Sequence, residues 1–492
     1  MVATEEAMNV RALMSPLLVA AVLTLTACGG SGGNAAPTGN VAVVITDAPT
    51  DIYDRIEISL TQMILIGAGG QMELYNGPEI TFDLLEMSEW GDLAFNSQVL
   101  AGTYNKIRLQ ITGITLHGKD AGVPVMDTIQ NLPANGKIDL NPRGPFDVSP
   151  GFTTVIKLDI DAQRSFLPVK TGQGKTQFRP VIFVEIFQDD TILPQRLVRA
   201  FGTVEPGSIS SDSFRLCDLQ FISQTNGLSL GSPDECIRVF ADSSPGIFDE
   251  TGIETDFGSV VDDQLLTAIG WLGANDDPGA YLGLQAIVLE LGDRVSSATP
   301  GWDTTHGSVR TDLSPCDSDR CFDLDPSEDD PVSTITLTRM QPGTQVYRAD
   351  GVELTQADVS MGDSGSVDGF LDSVSSELYA ALVVLSTDAD GGAESGTVGT
   401  LSPIMGSIPD EYFIVMITTD AGLSVDVCIA ADAAIAQVIV DDGIVTILDG
   451  VLDASEIQVG DRIEAYAGTD PVPDPSCEFL ADTVIVEPLN TP

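Results

Sequence analysis

Val41-Ala42-Val43-Val44-Ile45-Thr46, closed by Asp47-Ala48-Pro49, is the stretch on which the fold turns. An apolar run ending in a turn triplet reads as a strand. Neighbouring segments carry the two-residue period of half-buried strands. From Arg55 to Thr61, the residues Ile56, Ile58 and Leu60 share one face. Ile107, Leu109 and Ile111 alternate with Lys106, Arg108 and Gln110, and Ile156, Leu158 and Ile160 alternate with Lys157, Asp159 and Asp161. Pro180 to Phe187 is apolar on both faces, which predicts a central strand. Asp83 to Leu100 reads as the one helical stretch, with Leu84, Leu85 and Met87 before Trp90. Many short strands with turn residues between them predict an all-β chain whose first domain, residues 39–189, is a β-sandwich.

Composition narrows the function classes. The 492 residues hold 73 acids against 22 bases, a net charge of −51. Such a surface repels phosphate backbones and anionic headgroups, so nucleic acid is excluded as a partner. Hydrophobics at 43% and a mean hydropathy of +0.16 exclude a disordered acidic chain. The charge is uneven: residues 1–199 carry 21 acids and 14 bases, and residues 200–492 carry 52 acids and 8 bases, all of them Arg. The shift from −7 to −44 places a domain boundary near Leu197–Phe201.

The first domain resembles a known family. TDAP at Thr46–Pro49 after GNVAVVI is similar to the opening of the family catalogued as domain of unknown function 4382. YDRIEISLTQM from Tyr53, FDLLEM from Phe82, LAGTYNKIRLQI from Leu100, LDIDAQRSF from Leu158 and FRPVIFVEI from Phe178 follow in order. Asn141-Pro142-Arg143-Gly144-Pro145 departs from the family's small-residue segment before the LDIDA strand. The resemblance implies a secreted or lipid-anchored bacterial β domain, with no assigned activity.

The second half repeats. Gly202-Thr203-Val204, Gly307-Ser308-Val309 and Gly396-Thr397-Val398 open three units, and apolar strands from Ala286, Ala380 and Ala481 close them. Gly362-Asp363 and Gly460-Asp461 precede a strand in the later units, where the first has Val261-Asp262-Asp263-Gln264. This pattern resembles the family catalogued as domain of unknown function 5666, which implies small OB-like β-barrels over residues 198–293, 302–388 and 394–488. Self-repulsion predicts that these acidic units stand apart at low salt and draw together as ions screen them.

The N-terminus carries an address. Leu17 to Ala27 is an uncharged run of signal-peptide length, too short to span a bilayer. It ends in Leu25-Thr26-Ala27-Cys28, which resembles the bacterial lipobox, and Gly29-Gly30-Ser31-Gly32-Gly33 follows as a tether. The resemblance implies cleavage after residue 27, lipidation of Cys28 and a tether over 28–38. Gly29 after the Cys resembles the sorting signal of outer-membrane lipoproteins, with the body facing the periplasm or the surface. Glu5 and Glu6 depart from the basic start of such signals, whereas translation from Met8 would leave Arg11 as the only charge there.

The remaining six cysteines fall two to a unit: Cys217 with Cys236, Cys316 with Cys321, and Cys428 with Cys477. One disulfide per unit suits an oxidising compartment. A zinc site needs four Cys or His ligands, and the chain has two His, 117 and 306. Gly362-Asp363-Ser364-Gly365-Ser366 is similar to a serine-protease nucleophile segment, but neither His stands in a matching sequence context, so the turn reads as structural. Lys170 to Thr176 lacks the first Gly of a phosphate loop, and Gly67-Ala68-Gly69-Gly70 reads as a strand turn. Asp317, Asp319, Asp323 and Asp325, and separately Asp388 and Asp390, alternate as Ca²⁺ ligands do without completing a calcium loop. Ca²⁺ is therefore the only cofactor for which the chain offers candidates. The expected function is a lipid-anchored outer-membrane protein that binds or scaffolds, with glycans, envelope proteins or divalent ions as contacts. The alternative is a polysaccharide hydrolase using paired carboxylates.

Overall fold

The structure, a computed structural model, describes residues 36–487 except 49–52, 54, 121–122, 130–131, 143, 169–175, 179, 189–195, 223–235, 275–281, 295–300, 312–313, 317–318, 326–334, 350, 373, 387–392, 405–411, 420–423, 442–443, 450–456, 468–475 and 478–479. No described helix is long and apolar enough to cross a membrane. The regular structure of the described residues is nearly all strand.

Thr38–Ala48, the TDAP strand, lies between Thr153–Asp161 and Gly91–Leu100. Its apolar run is continuous because both faces are covered. Val41, Val43 and Ile45 enter the sandwich core, while Ala42 and Val44 pack into the core of the first barrel. The opposing sheet runs Gly70–Asp83, Arg55–Gly67, Gly102–Asp120 and Lys137–Asn141, and its Ile56, Ile58, Leu109 and Ile111 complete the sandwich core.

Two local expectations fail. Ile182–Gln188 is at the edge of its sheet, not the centre. It is apolar on both sides because residues 181 to 184 and Ile186 all join the sandwich core, and Phe187 lies against the first barrel. Asp83–Leu100 is not helical beyond one 3-10 turn at Leu85–Met87, and Gly91–Leu100 is a strand. The Asp83 carboxylate accepts from the N–H groups of Ile56 (3.1 Å) and Leu85 (3.2 Å), which ties the turn to the sheet.

All three units are closed five-stranded barrels with one topology. Their strands are Val198–Val204, Ser213–Gln220, Ile237–Phe240, Leu265–Ala274 and Leu282–Leu291 in the first. The second has Gly301–Val309, Asp319–Asp325, Thr336–Arg348, Ser364–Asp372 and Glu377–Leu385. The third has Ala393–Ile404, Tyr412–Thr419, Ser424–Asp441, Arg462–Ala467 and Leu480–Glu487. In each, strand one pairs with two, two with three, three in parallel with five, five with four, and four with one. This is the partly Greek-key closure of an OB-like barrel.

The two sequence marks of the repeat hold each other. The N–H groups of Val204, Val309 and Val398 donate to the carbonyls of Gln264, Asp363 and Asp461 at 2.8–2.9 Å, and their own carbonyls accept from Asp263, Gly362 and Gly460 at 2.9–3.0 Å. The side chains of Gln264, Asp363 and Asp461 each accept from the N–H three residues earlier, at 3.1, 2.7 and 2.8 Å. Gly362 and Gly460 sit at φ +96 and +101, which favours glycine, and Asp263 takes the same place at φ +62. The first unit therefore makes the same clasp with Asp-Gln in place of Gly-Asp. Each closing Ala pairs with Gly270, Gly369 or Ala467 of the fourth strand, beside a bulge in the fifth strand itself. A Cβ on Gly270 would lie 1.9 Å from the Gln285 carbonyl oxygen, so that position admits no side chain.

The barrels are not separate beads. Val198 and Arg199 pair in parallel with Gly91 and Asp92, which makes the sandwich and first barrel parts of one ten-stranded sheet. In the third barrel Ser424–Asp441 forms a hairpin with Ile444–Asp449, which pairs in parallel with Lys137–Asn141 of the sandwich. The described residues from Pro37 onward form one compact unit, in which shared sheet edges and apolar contacts outweigh screened surface repulsion.

Candidate functional site

Ionisable side chains gather where the sandwich meets the first two barrels. The family-like motifs build the sandwich's share. Asp47 of TDAP accepts from the N–H of Ala162 in LDIDAQRSF at 2.9 Å, and Arg196 donates to the Asp47 carbonyl at 2.8 Å and to the Ser88 carbonyl. That end of the sheet presents Glu86, Glu89, Trp90 and Asp92 to the barrels.

Arg199, on the first strand of barrel one, is fully buried at the centre. Its guanidinium grips Asp92 with two bonds (2.6 and 3.0 Å), reaches Asp368 of barrel two at 3.1 Å and Thr304 at 2.8 Å, and lies 4.9 Å from the Trp90 ring centroid. Arg294 donates to Glu290 and to Thr304, each at 2.7 Å, and pairs with Asp368 at 2.6 Å. Asp92, Glu290 and Asp368 are all fully buried. Burial works against the Arg199 charge, and Asp92 and Asp368 more than offset it, holding its pKa above the ordinary value. Burial, then Asp368, pushes the Glu290 carboxyl up to about 8, so it is largely protonated at neutral pH. Glu86 is pushed up to about 7 by desolvation and by Asp83. The arrangement holds two guanidinium groups and two carboxyls of raised proton affinity inside an interface.

Sequence context understated one histidine. Ser366 Oγ lies 2.6 Å from His306 Nδ1 and donates to Glu89 at 2.7 Å, and Ser386 donates to the other Glu89 oxygen at 2.8 Å. The composition resembles a Ser-His-acid triad, but the wiring differs. A triad histidine uses one ring nitrogen for the serine and the other for the acid. Here Glu89 approaches Nδ1, the nitrogen that already faces the serine, at 3.8 Å, while His306 Nε2 is buried with no hydrogen-bond partner. Ser366 has no exposed surface. The GDSGS turn itself is the second barrel's clasp, as its structural reading requires.

The other candidates lie elsewhere. Cys217–Cys236, Cys316–Cys321 and Cys428–Cys477 are disulfides, one to a barrel, with Cα separations of 4.2, 5.9 and 5.5 Å. Glu205 lies close to the first pair, but sulfurs joined to each other offer no thiolate to a metal. Asp319 pairs with Arg339 at 3.3 Å and Asp325 with Arg310, so these two calcium candidates already have cationic partners. Asp323 lies on the same strand, half-buried. Cys28, Asp317, Asp388, Asp390 and most of the Lys170 to Thr176 stretch lie outside the described residues.

Sequence reasoning missed Arg199, Glu290, Arg294 and Asp368. The available signal was a charge inside an apolar strand, as in Val-Arg-Ala-Phe or Val-Leu-Glu-Leu, where a charge is rarely tolerated unless paired.

Residues 38–180 match the family described as Domain of unknown function (DUF4382), so the likeness belongs to the sandwich. No curated protein matches the chain.

Proposed function

We propose that the protein is a lipid-anchored envelope protein, held at the outer membrane through Cys28, that works as a rigid non-enzymatic binding or scaffolding module. One observation carries this reading. The ionisable groups that the fold concentrates are spent on joining the modules: Arg199 and Arg294 cross-link the sandwich and two barrels from inside. A paired-carboxylate hydrolase would need two acids facing a sugar. Glu290 and Asp368, the natural candidates, have no exposed surface. The common clasp supports reading the barrels as copies of one module similar to domain of unknown function 5666. Glycans, envelope proteins and divalent ions are the partner classes for their acidic surfaces.

The test is to assay full-length protein on polysaccharide, ester and peptide panels, alongside binding to isolated envelope glycans. Binding without turnover is the expected result. Turnover lost on replacing one Asp or Glu would overturn the reading in favour of the hydrolase.

A further inference from the structure

We infer that the rim of the sandwich where the chain enters, marked by Leu100 and Phe152, rests in the interfacial layer of a phospholipid bilayer. This rests on the proposed Cys28 anchor. Both residues flank the first strand. Thr38 pairs with Leu100 on one side, and on the other the Asn40 N–H donates to the Phe152 carbonyl at 2.9 Å. The Ala101 N–H donates to the Pro37 carbonyl at 2.9 Å and the Gly151 N–H to the Thr38 carbonyl at 3.0 Å, so three chain segments meet at this rim. Leu100 is 41% exposed and Phe152 54%. Pro37 and Pro150 beside them are also exposed.

The rim is apolar and carries little charge; Asp147, whose exposed carboxylate accepts from the Thr103 hydroxyl at 2.5 Å, stands at its border. Residues 37–46, 96–105 and 149–156 contain no Asp, Glu, Lys or Arg, in a chain where such residues make up 19%. Cys28 and Thr38 are ten residues apart. Whatever their conformation, ten residues span at most about 36 Å, so an anchor at Cys28 keeps this end of the sandwich close to the bilayer. The barrels, at net −44, are pushed away from anionic headgroups. The sparsely charged rim costs least to bring down, and exposed Leu and Phe side chains gain by entering the interface. Two such side chains bind weakly alone, but the anchor makes their contact intramolecular, so they orient the body rather than retain it.

The experiment uses full-length lipidated protein in phosphatidylcholine vesicles with brominated acyl chains. Trp90 and Trp302 are buried and Trp271 is partly so, which sets the background of the wild-type protein. Phe152→Trp should add a blue-shifted emission that the brominated chains quench and aqueous iodide does not. Leu100→Trp, across the first strand, repeats the measurement, and circular dichroism checks that each variant is folded. Reporters quenched by iodide in protein that floats with the vesicles would overturn the inference and leave the anchor standing. Reporters quenched by neither agent, with concentration-dependent association in detergent, would assign the rim to a second copy and also overturn it. Protein that fails to float would overturn the anchor, and the inference with it.

Discussion

Replacing Arg199 with Leu tests whether the buried charges hold the modules together. The substitution removes two bonds to Asp92, one to Asp368 and one to Thr304, together with the Trp90 contact, and leaves two buried carboxylates short of a cation. Breaking a buried ion pair from one side costs about 3–5 kcal/mol. At about 1.4 kcal/mol per decade, local opening of the junction should rise by about 10²–10⁴. Native-state hydrogen exchange reads this at the amides of Val198–Val204 and Ser364–Asp372, which carry the charges. Exchange should accelerate there while the Tyr412–Thr419 amides of barrel three keep their protection. Arg199→Lys should fall between, because it keeps the charge and loses the planar fork. Arg199→Leu combined with Asp92→Leu should recover part of the loss, since no carboxylate is then stranded at that position. A change of less than about tenfold in the single variant would mean that sheet pairing and apolar contacts alone bind the modules, and the reasoning would fail.

The remaining predictions follow from the same contacts. Glu290 and Glu86 bind protons more tightly folded than unfolded, so their contribution is full below about pH 4 and is lost as pH rises towards 7 and 8. Thermal midpoints between pH 5 and 8.5 should therefore fall less in Glu290→Gln than in the wild type. In the clasps, Gly460→Ala should cost about 1 kcal/mol and Asp263→Gly should stabilise barrel one slightly, both read from denaturant midpoints. Cys28→Ser should abolish lipid labelling and release the protein from the membrane fraction, and unchanged labelling would refute the anchor. Scattering profiles in low and high salt should coincide, where independent acidic beads would contract.

Class and modules were legible in the sequence because they depend on local periods. Ile56, Ile58 and Leu60 declare a strand whatever surrounds them, and Gly-x-Val with Gly-Asp marks a clasp that is short-range within each barrel. The errors have one cause: tertiary contacts that the local sequence does not announce. Pro180–Phe187 looked central because two bodies cover it, although its sheet ends there. Asp83–Leu100 looked helical because Leu84, Leu85 and Met87 all have tertiary partners, which imitates a helical spacing over too few residues. The charge network was illegible for the same reason. Asp92 and Asp368 are 276 positions apart, and nothing local to either announces the other.

Why the junction carries charge at all becomes clear when the barrels are laid over one another by their clasps. The apolar contact between barrels one and two uses the same face of each. Leu197 matches Trp302, Phe248 matches Tyr347, Ile287 matches Ala381 and Val288 matches Leu382, and all eight lie in one cluster. Barrel three lacks this face, because Asp482 and Thr483 follow its closing Ala where the others have Ile287-Val288 and Ala381-Leu382. The charged positions separate the copies further. Asp368 stands where barrel one has Ile269 and barrel three Tyr466, and Arg199 stands where the others have Thr304 and Ala393. Glu290 stands where the others have Val384 and Ile485, and Ile485 belongs to the sandwich core. Barrel three placed against barrel one would bring Tyr466 to Arg199 and leave that guanidinium buried without its second carboxylate, a penalty of several kcal/mol. Buried charge here adds to the apolar difference in selecting which copy docks where. Asp368→Tyr should then weaken the pairing of barrels one and two even though the tyrosine ring adds apolar surface, and cross-linking between those barrels would reveal the loss.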